Sequence, residues 1–237
     1  MKQRESKTAS KPEGYDCTFC KKVFVRESTL IRHLCVKKKR FLEADRQDVR
    51  FGYIAYRTFY DIHYRSRKSV TPDHFRESQV YDAFVRFGKY VMDVNAIAPE
   101  EFIRYAVQSQ KSVDRWCAGD LLYKEYVRTL NKVESSERAI ERTLLVAESW
   151  ANKEDKEIKD FFNEIAPSQA VQWLMSGRIS PWVMFNCDSG KELLGRFTDE
   201  QVEIVSKSID MKFWTKKFMD HIDEAHRIQD FLKSEGM

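Results

Sequence analysis

Tyr15-Asp16-Cys17-Thr18-Phe19-Cys20-Lys21-Lys22-Val23-Phe24, continued by Val25 to Thr29 and then by Leu30-Ile31-Arg32-His33-Leu34-Cys35, decides how this chain begins. The two-residue gap between Cys17 and Cys20 lets a tight turn aim both thiolates at one ion. Twelve residues then separate Cys20 from His33, enough for a short hairpin followed by two helical turns. Phe24 and Leu30 fall where so small a ββα unit places its only core side chains. Apolar burial alone cannot fold a unit of this size, so metal binding must supply the folding free energy.

In spacing and register this segment resembles a C2H2-type zinc finger: an aromatic residue, then C-x2-C-x3-F-x5-L-x2-H over about residues 15–35. The resemblance implies bound Zn2+. It departs from the family at the fourth ligand, because Lys37, Lys38 and Lys39 stand where the second histidine belongs. Cys35 is the nearest candidate. Residues i and i+2 of a straight helix point about 200° apart, so His33 and Cys35 share an ion only if the helix ends between them. The expected ligand set is Cys17, Cys20, His33 and Cys35. Docked as the family docks on double-stranded DNA, the helix would turn Arg26, Thr29 and Arg32 toward successive bases, arginine being the reader of guanine. Lys21, Lys22, Lys37, Lys38, Lys39 and Arg40 would neutralise phosphates. One finger reads only about three base pairs, which makes it a docking device.

The charge distribution agrees with an anionic partner at this end. Of 41 Lys/Arg and 37 Asp/Glu, residues 1–40 hold twelve and four, a local net of +8, and the remainder of the 237-residue chain carries −4. A basic end on a mildly acidic body points to nucleic acid. Five cysteines, an odd count, do not suit a disulfide framework. Hydrophobic content of 42% with 33% charged residues and a mean hydropathy of −0.59 describes a globular chain with a solvated surface. No apolar run approaches the roughly 18 residues of a membrane helix, and the charged start Met1-Lys2-Gln3-Arg4 lacks a signal's apolar stretch. The expected setting is intracellular and away from membranes.

After Arg40 the pattern is helical. Thr71-Pro72, Ala98-Pro99, Ala166-Pro167 and Ser180-Pro181 each place proline at a first helical position, and Thr198-Asp199-Glu200-Gln201 is a capping box. Gly177 and Gly236 sit where helices end. These signs predict eight to ten helices between 36 and 234 and no strand outside the hairpin. The expected organisation is a flexible basic tail over 1–14, a ββα zinc finger over 15–40 and an all-α domain over 41–237.

Chemistry in the helical part is expected over residues 56–90. There Tyr56, Tyr60, Tyr64, Tyr81, Phe84 and Phe87 interleave with Arg65, Arg67, Lys68, Arg76, Arg86 and Lys89. Rings can stack on an extruded base while cations hold phosphates; equally, an aromatic stripe at helical spacing can be core. His63 and His74 are the first candidates for proton transfer, with Arg76 and Arg86 as cations for a phosphate. His221 and His226 are five residues apart, so their rings diverge by about 140°. Ser189-Gly190-Lys191 lacks the rest of a phosphate loop.

The finger with its basic run, the stretch Val80-Tyr81-Asp82-Ala83-Phe84-Val85-Arg86-Phe87-Gly88-Lys89-Tyr90 and the pair Trp116-Cys117 are together similar to a group of tailed-phage proteins. That resemblance, over about residues 15–130, implies helical amino acid:DNA transferases, which join an amino acid to a pyrophosphorylated 5-hydroxymethyluracil in DNA. It implies a small amino acid substrate. The alternative is a non-catalytic DNA-binding accessory whose helical body binds a protein.

Overall fold

A computed structural model describes residues 14–64 and 70–237. Most of the expected basic tail, and Arg65, Arg67 and Lys68, lie outside the described residues. The chain divides into two compact units, residues 1–92 and 93–237. Among the described residues the only sheet is a two-stranded hairpin, no helix is long and apolar enough to cross a membrane, and the rest of the regular structure is helical.

The first unit begins with β1 (Tyr15–Asp16) and β2 (Val23–Phe24), antiparallel with Tyr15 opposite Phe24, followed by α1 (Glu27–Arg32). Then come α2 (Val36–Leu42), α3 (Gln47–Tyr64), α4 (Pro72–Glu77) and α5 (Tyr81–Asp93). Its core is aromatic. The Tyr56 ring lies 5.1 Å from that of Phe75 and 5.3 Å from that of Phe84, and Phe75 lies 4.7 Å from Tyr81. Phe75, Tyr81, Phe84 and Phe87 are all buried. The inner side of the stripe expected at 56–90 is therefore packing. Two glycines let α3 and α5 touch backbone to backbone: a Cβ on Gly88 would stand 2.0 Å from the Asp48 carbonyl oxygen, and one on Gly52 2.9 Å from that of Phe84.

The second unit comprises α6 (Pro99–Gln108), α7 (Val113–Trp116), α8 (Leu121–Val133), α9 (Ser136–Glu154), a 3-10 turn (Ile158–Asp160) and α10 (Phe161–Glu164). It continues through α11 (Pro167–Met175), α12 (Pro181–Met184), α13 (Asp188–Gly195), α14 (Asp199–Ser208), α15 (Met211–Asp220) and α16 (Ile222–Ser234). Helix α9 is the hub, packing on α10, α12 and α16 around Trp150, Phe161, Phe162, Trp182 and Ile228. A buried polar cluster crosses this core. Arg142 of α9 ion-pairs with Glu134 and donates to the Gly177 carbonyl, while Ser180 donates to Glu134 at 3.0 Å. Burial pushes the Glu134 carboxyl up and the Arg142 guanidinium down from their ordinary values, each opposed by the other's charge.

The proline positions all begin helices, and Thr198 forms its capping box with Gln201. Gly177 and Gly236 adopt φ of 78° and 77° just past α11 and α16, where only glycine is unstrained. The expected helix number is too low: among the described residues α2–α16 make fifteen between 36 and 234. Side-chain periodicity runs on across breaks that occupy only a few residues. The turn at 43–46 splits α2 from α3, and α4, α7, α10 and α12 are one or two turns each.

Candidate metal centre and nucleic-acid interface

The candidate metal centre, Cys17, Cys20, His33 and Cys35, is built by three backbone devices. A tight turn carries Lys21 N back to the Cys17 carbonyl (2.8 Å) and Cys17 N to that of Lys22 (2.9 Å), with Lys21 in the left-handed region at φ 62°. This turn brings Cys17 and Cys20 to one side. Helix α1 then ends at Arg32, and His33 leaves it with extended backbone (φ −72°, ψ 117°). Cys35 is extended as well (φ −77°, ψ 162°) and caps α2, its sulfur accepting from Lys38 N at 3.4 Å. The chain thus breaks its helix between His33 and Cys35, the condition under which an i, i+2 pair can face one ion.

The four ligand atoms all lie within 4.8 Å of one another. Cys17 Sγ is 3.9 Å from Cys35 Sγ, and Cys20 Sγ is 3.3 Å from His33 Nε2. Tetrahedral coordination with metal–sulfur bonds of about 2.3 Å puts neighbouring sulfurs about 3.8 Å apart, so the donors fit one tetrahedral ion. The electrostatics agree. The Cys20 and Phe19 amides hold the Cys17 thiol below its ordinary value, with desolvation opposing. At Cys20 the Lys22 amide acts in the same sense but is outweighed by desolvation and by the Cys17 and Cys35 sulfurs, leaving that thiol raised. Three thiols this close ionise together only around a cation. A Cys3His set suits a borderline-soft ion such as zinc.

Arg26, Thr29 and Arg32 are all exposed, on and beside α1. Arg26 is its N-cap position, and Arg32 Nε donates to the Ser28 carbonyl at 3.3 Å. The basic run that follows divides. Lys39, like Lys21 and Lys22, is exposed. Lys37 pairs with Glu77 at 2.8 Å, and Lys38 Nζ donates to the His33 carbonyl at 3.3 Å. Arg40 is committed inside the unit. It donates to the carbonyls of Arg76 (2.9 Å) and Ser78 (3.1 Å), pairs with Asp82 (3.2 Å) and lies 4.2 Å from the Tyr81 ring centroid. It clamps α2 to the corner between α4 and α5. The Phe19 ring also packs on Phe41, 5.2 Å away, so the metal knuckle leans on α2.

The four residues expected to do chemistry are spread over three helices. His63 is exposed on the last turn of α3, its ring 4.7 Å from Phe59. His74 completes a capping box with Thr71, its Nδ1 accepting from Thr71 N at 3.4 Å. Arg76 pairs with Asp73, lies 5.4 Å from the Phe41 ring and lines a 190 Å³ cavity with Thr18, Phe19 and Glu77. Arg86 is exposed on α5. The features that sequence reading missed are the Arg40 clamp and a basic cleft in the second unit, described below.

Neither a protein-family model, nor a curated protein, nor a solved structure matches this chain. The functional reading therefore rests on the residues themselves.

Proposed function

We propose that this is a zinc-dependent DNA-binding protein whose ββα unit docks on double-stranded DNA through α1. The observation that carries the proposal is the four-ligand cluster, which fixes a six-residue helix with Arg26, Thr29 and Arg32 exposed. Zinc is the ion that a Cys3His set of this geometry favours. Arg26 and Arg32 would read base edges, and Lys21, Lys22 and Lys39 would contact phosphates. Lys37 and Arg40, held by Glu77 and Asp82, add little to that contact. The narrower reading, amino acid transfer onto a pyrophosphorylated base, would use His63, His74, Arg76 and Arg86, of which His74 also completes a helix cap and Arg76 an ion pair.

Fluorescence anisotropy of the zinc-loaded full chain on duplex DNA tests the reading. Three phosphate contacts give a log–log salt slope of about −3. Arg26→Ala with Arg32→Ala should weaken binding about tenfold or more at unchanged zinc content. Salt-independent affinity, or equal affinity of that double variant, would refute it.

A further inference from the structure

The second unit carries a cleft that none of the DNA-binding argument uses. It opens where α8 meets the junction of α14 and α15, and its volume is about 440 Å³, within the roughly 300–1,000 Å³ of small-molecule sites. Four cationic side chains line it from three helices: Arg128 and Lys132 of α8, Lys207 of α14 and Lys212 of α15. One lining carboxylate opposes them, Asp210, and its Oδ1 already accepts from Phe213 N at 3.1 Å as the cap of α15. Lys207 pairs outward with Glu203 at 2.6 Å. The cleft keeps an excess of positive charge.

Its wall is aromatic. Phe213 is half-buried and Trp214 buried, and Lys132 Nζ lies 5.2 Å from the Phe213 ring centroid. Behind this wall sits a fifth cation. Lys217 Nζ is 5.1 Å from the Trp214 ring and 5.9 Å from that of Phe213, and donates to the Lys132 carbonyl at 3.0 Å. Burial lowers the pKa of its ammonium, with Glu134 and Glu224 opposing. Cations gathered from separate helices repel one another, and a bound anion relieves that repulsion. A ring face beside them suits a ligand with a planar apolar part.

We propose that this cleft binds a phosphorylated small molecule of mononucleotide size, its phosphate held by Arg128, Lys132 and Lys212 and its ring against Phe213. Arg128 Nη2 already donates to the Lys207 carbonyl at 3.2 Å, which fixes its guanidinium fork at the cleft and leaves its other donors for phosphate oxygens, and the two lysines offer point charges. The site belongs to the second unit and needs nothing from the metal centre, so it stands or falls apart from the DNA-binding reading.

Isothermal titration of the zinc-loaded full chain with deoxythymidine monophosphate, inorganic phosphate and a single-stranded oligonucleotide distinguishes the sources of phosphate. The nucleotide should bind with a dissociation constant below a millimolar and more tightly than inorganic phosphate. Lys132→Glu and Lys212→Glu should each weaken it about tenfold or more, while Lys233→Glu, exposed on α16 and outside the cleft lining, should leave it within about twofold. Circular dichroism checks that each variant is folded, and Arg128→Lys, which keeps the charge and removes the fork, supplies a milder arm with an intermediate loss. Absence of nucleotide binding to the folded wild type would overturn the proposal. So would equal weakening by Lys233→Glu, or binding of the oligonucleotide alone, which would make the cleft a backbone-contact surface.

Discussion

Replacing Cys17 by serine should remove the metal and unfold a defined stretch of the first unit, and the structure sets where the loss stops. In residues 14–42 Cys17 is the only buried side chain, 3% exposed. Phe19, Phe24 and Leu30 are half-buried, and each contributes roughly 1–2 kcal/mol by apolar burial. A structural zinc held there would contribute about 10–16 kcal/mol, so ligand chemistry would dominate the stability of this segment. Without it, hydrogen-exchange mass spectrometry should show lost protection at the Cys17, Lys21 and His33 amides, which bond the Lys22, Cys17 and Leu30 carbonyls. Protection should persist in α2, because Arg40 holds that helix to the Arg76 and Ser78 carbonyls without the metal's help. It should also persist in α9, at the core of the second unit. The metal-to-chain ratio should fall from near one to near zero. Unchanged protection across 17–33 in metal-free protein would refute the reasoning, and loss through α2 would refute the role given to Arg40.

Gly88→Ala should destabilise the first unit by about 1–3 kcal/mol or more, as forced overpacking does, because its Cβ would stand 2.0 Å from the Asp48 carbonyl oxygen; urea unfolding followed by tyrosine fluorescence measures this. Arg40→Ala should lower the melting temperature yet leave the DNA salt slope unchanged, whereas Lys39→Ala should reduce that slope by about one. Burial raises the pKa of Tyr123 and Tyr126 above the ordinary phenol value of 10.0. The folded chain then retains protons that the unfolded chain releases, so stability falls as pH rises through 10 and beyond; tyrosinate absorbance should appear together with loss of helical circular dichroism. Arg142→Met should cost about 3–5 kcal/mol by leaving Glu134 buried and unpaired, read as a shift in the urea midpoint.

The parts legible in sequence were those written in local chemistry. Cys17-x2-Cys20 and the interval to His33 announce a metal knuckle because ligand geometry tolerates little variation. Pro72, Pro99, Pro167 and Pro181 announce helix starts because a missing N–H does no harm there. Cys35 was legible only conditionally, since its place depended on α1 stopping at Arg32, and that stop is a backbone event with no glycine or proline to mark it.

What stayed hidden depends on pairs far apart in the chain. Arg40 looks in sequence like the end of a basic run, Lys37 to Arg40, and nothing within a helical turn of it signals otherwise. Its partners Arg76, Ser78 and Asp82 lie 36, 38 and 42 residues away, so its role exists only once α4 and α5 have packed. The cleft of the second unit is the same case at longer range. Arg128 donates to the Lys207 carbonyl across 79 residues, and Lys217 to the Lys132 carbonyl across 85. No window of helical periodicity contains both members of either pair. In the stretch at 56–90, where aromatic and basic residues crowd together in sequence, Tyr56, Phe75, Tyr81, Phe84 and Phe87 turn inward, because on one helix face neighbours at three- and four-residue spacing become core, while Tyr64 stays exposed. Sequence proximity selected an aromatic stripe whose inner side folding buries; the cationic wall beside Phe213 is assembled from residues that sequence keeps apart.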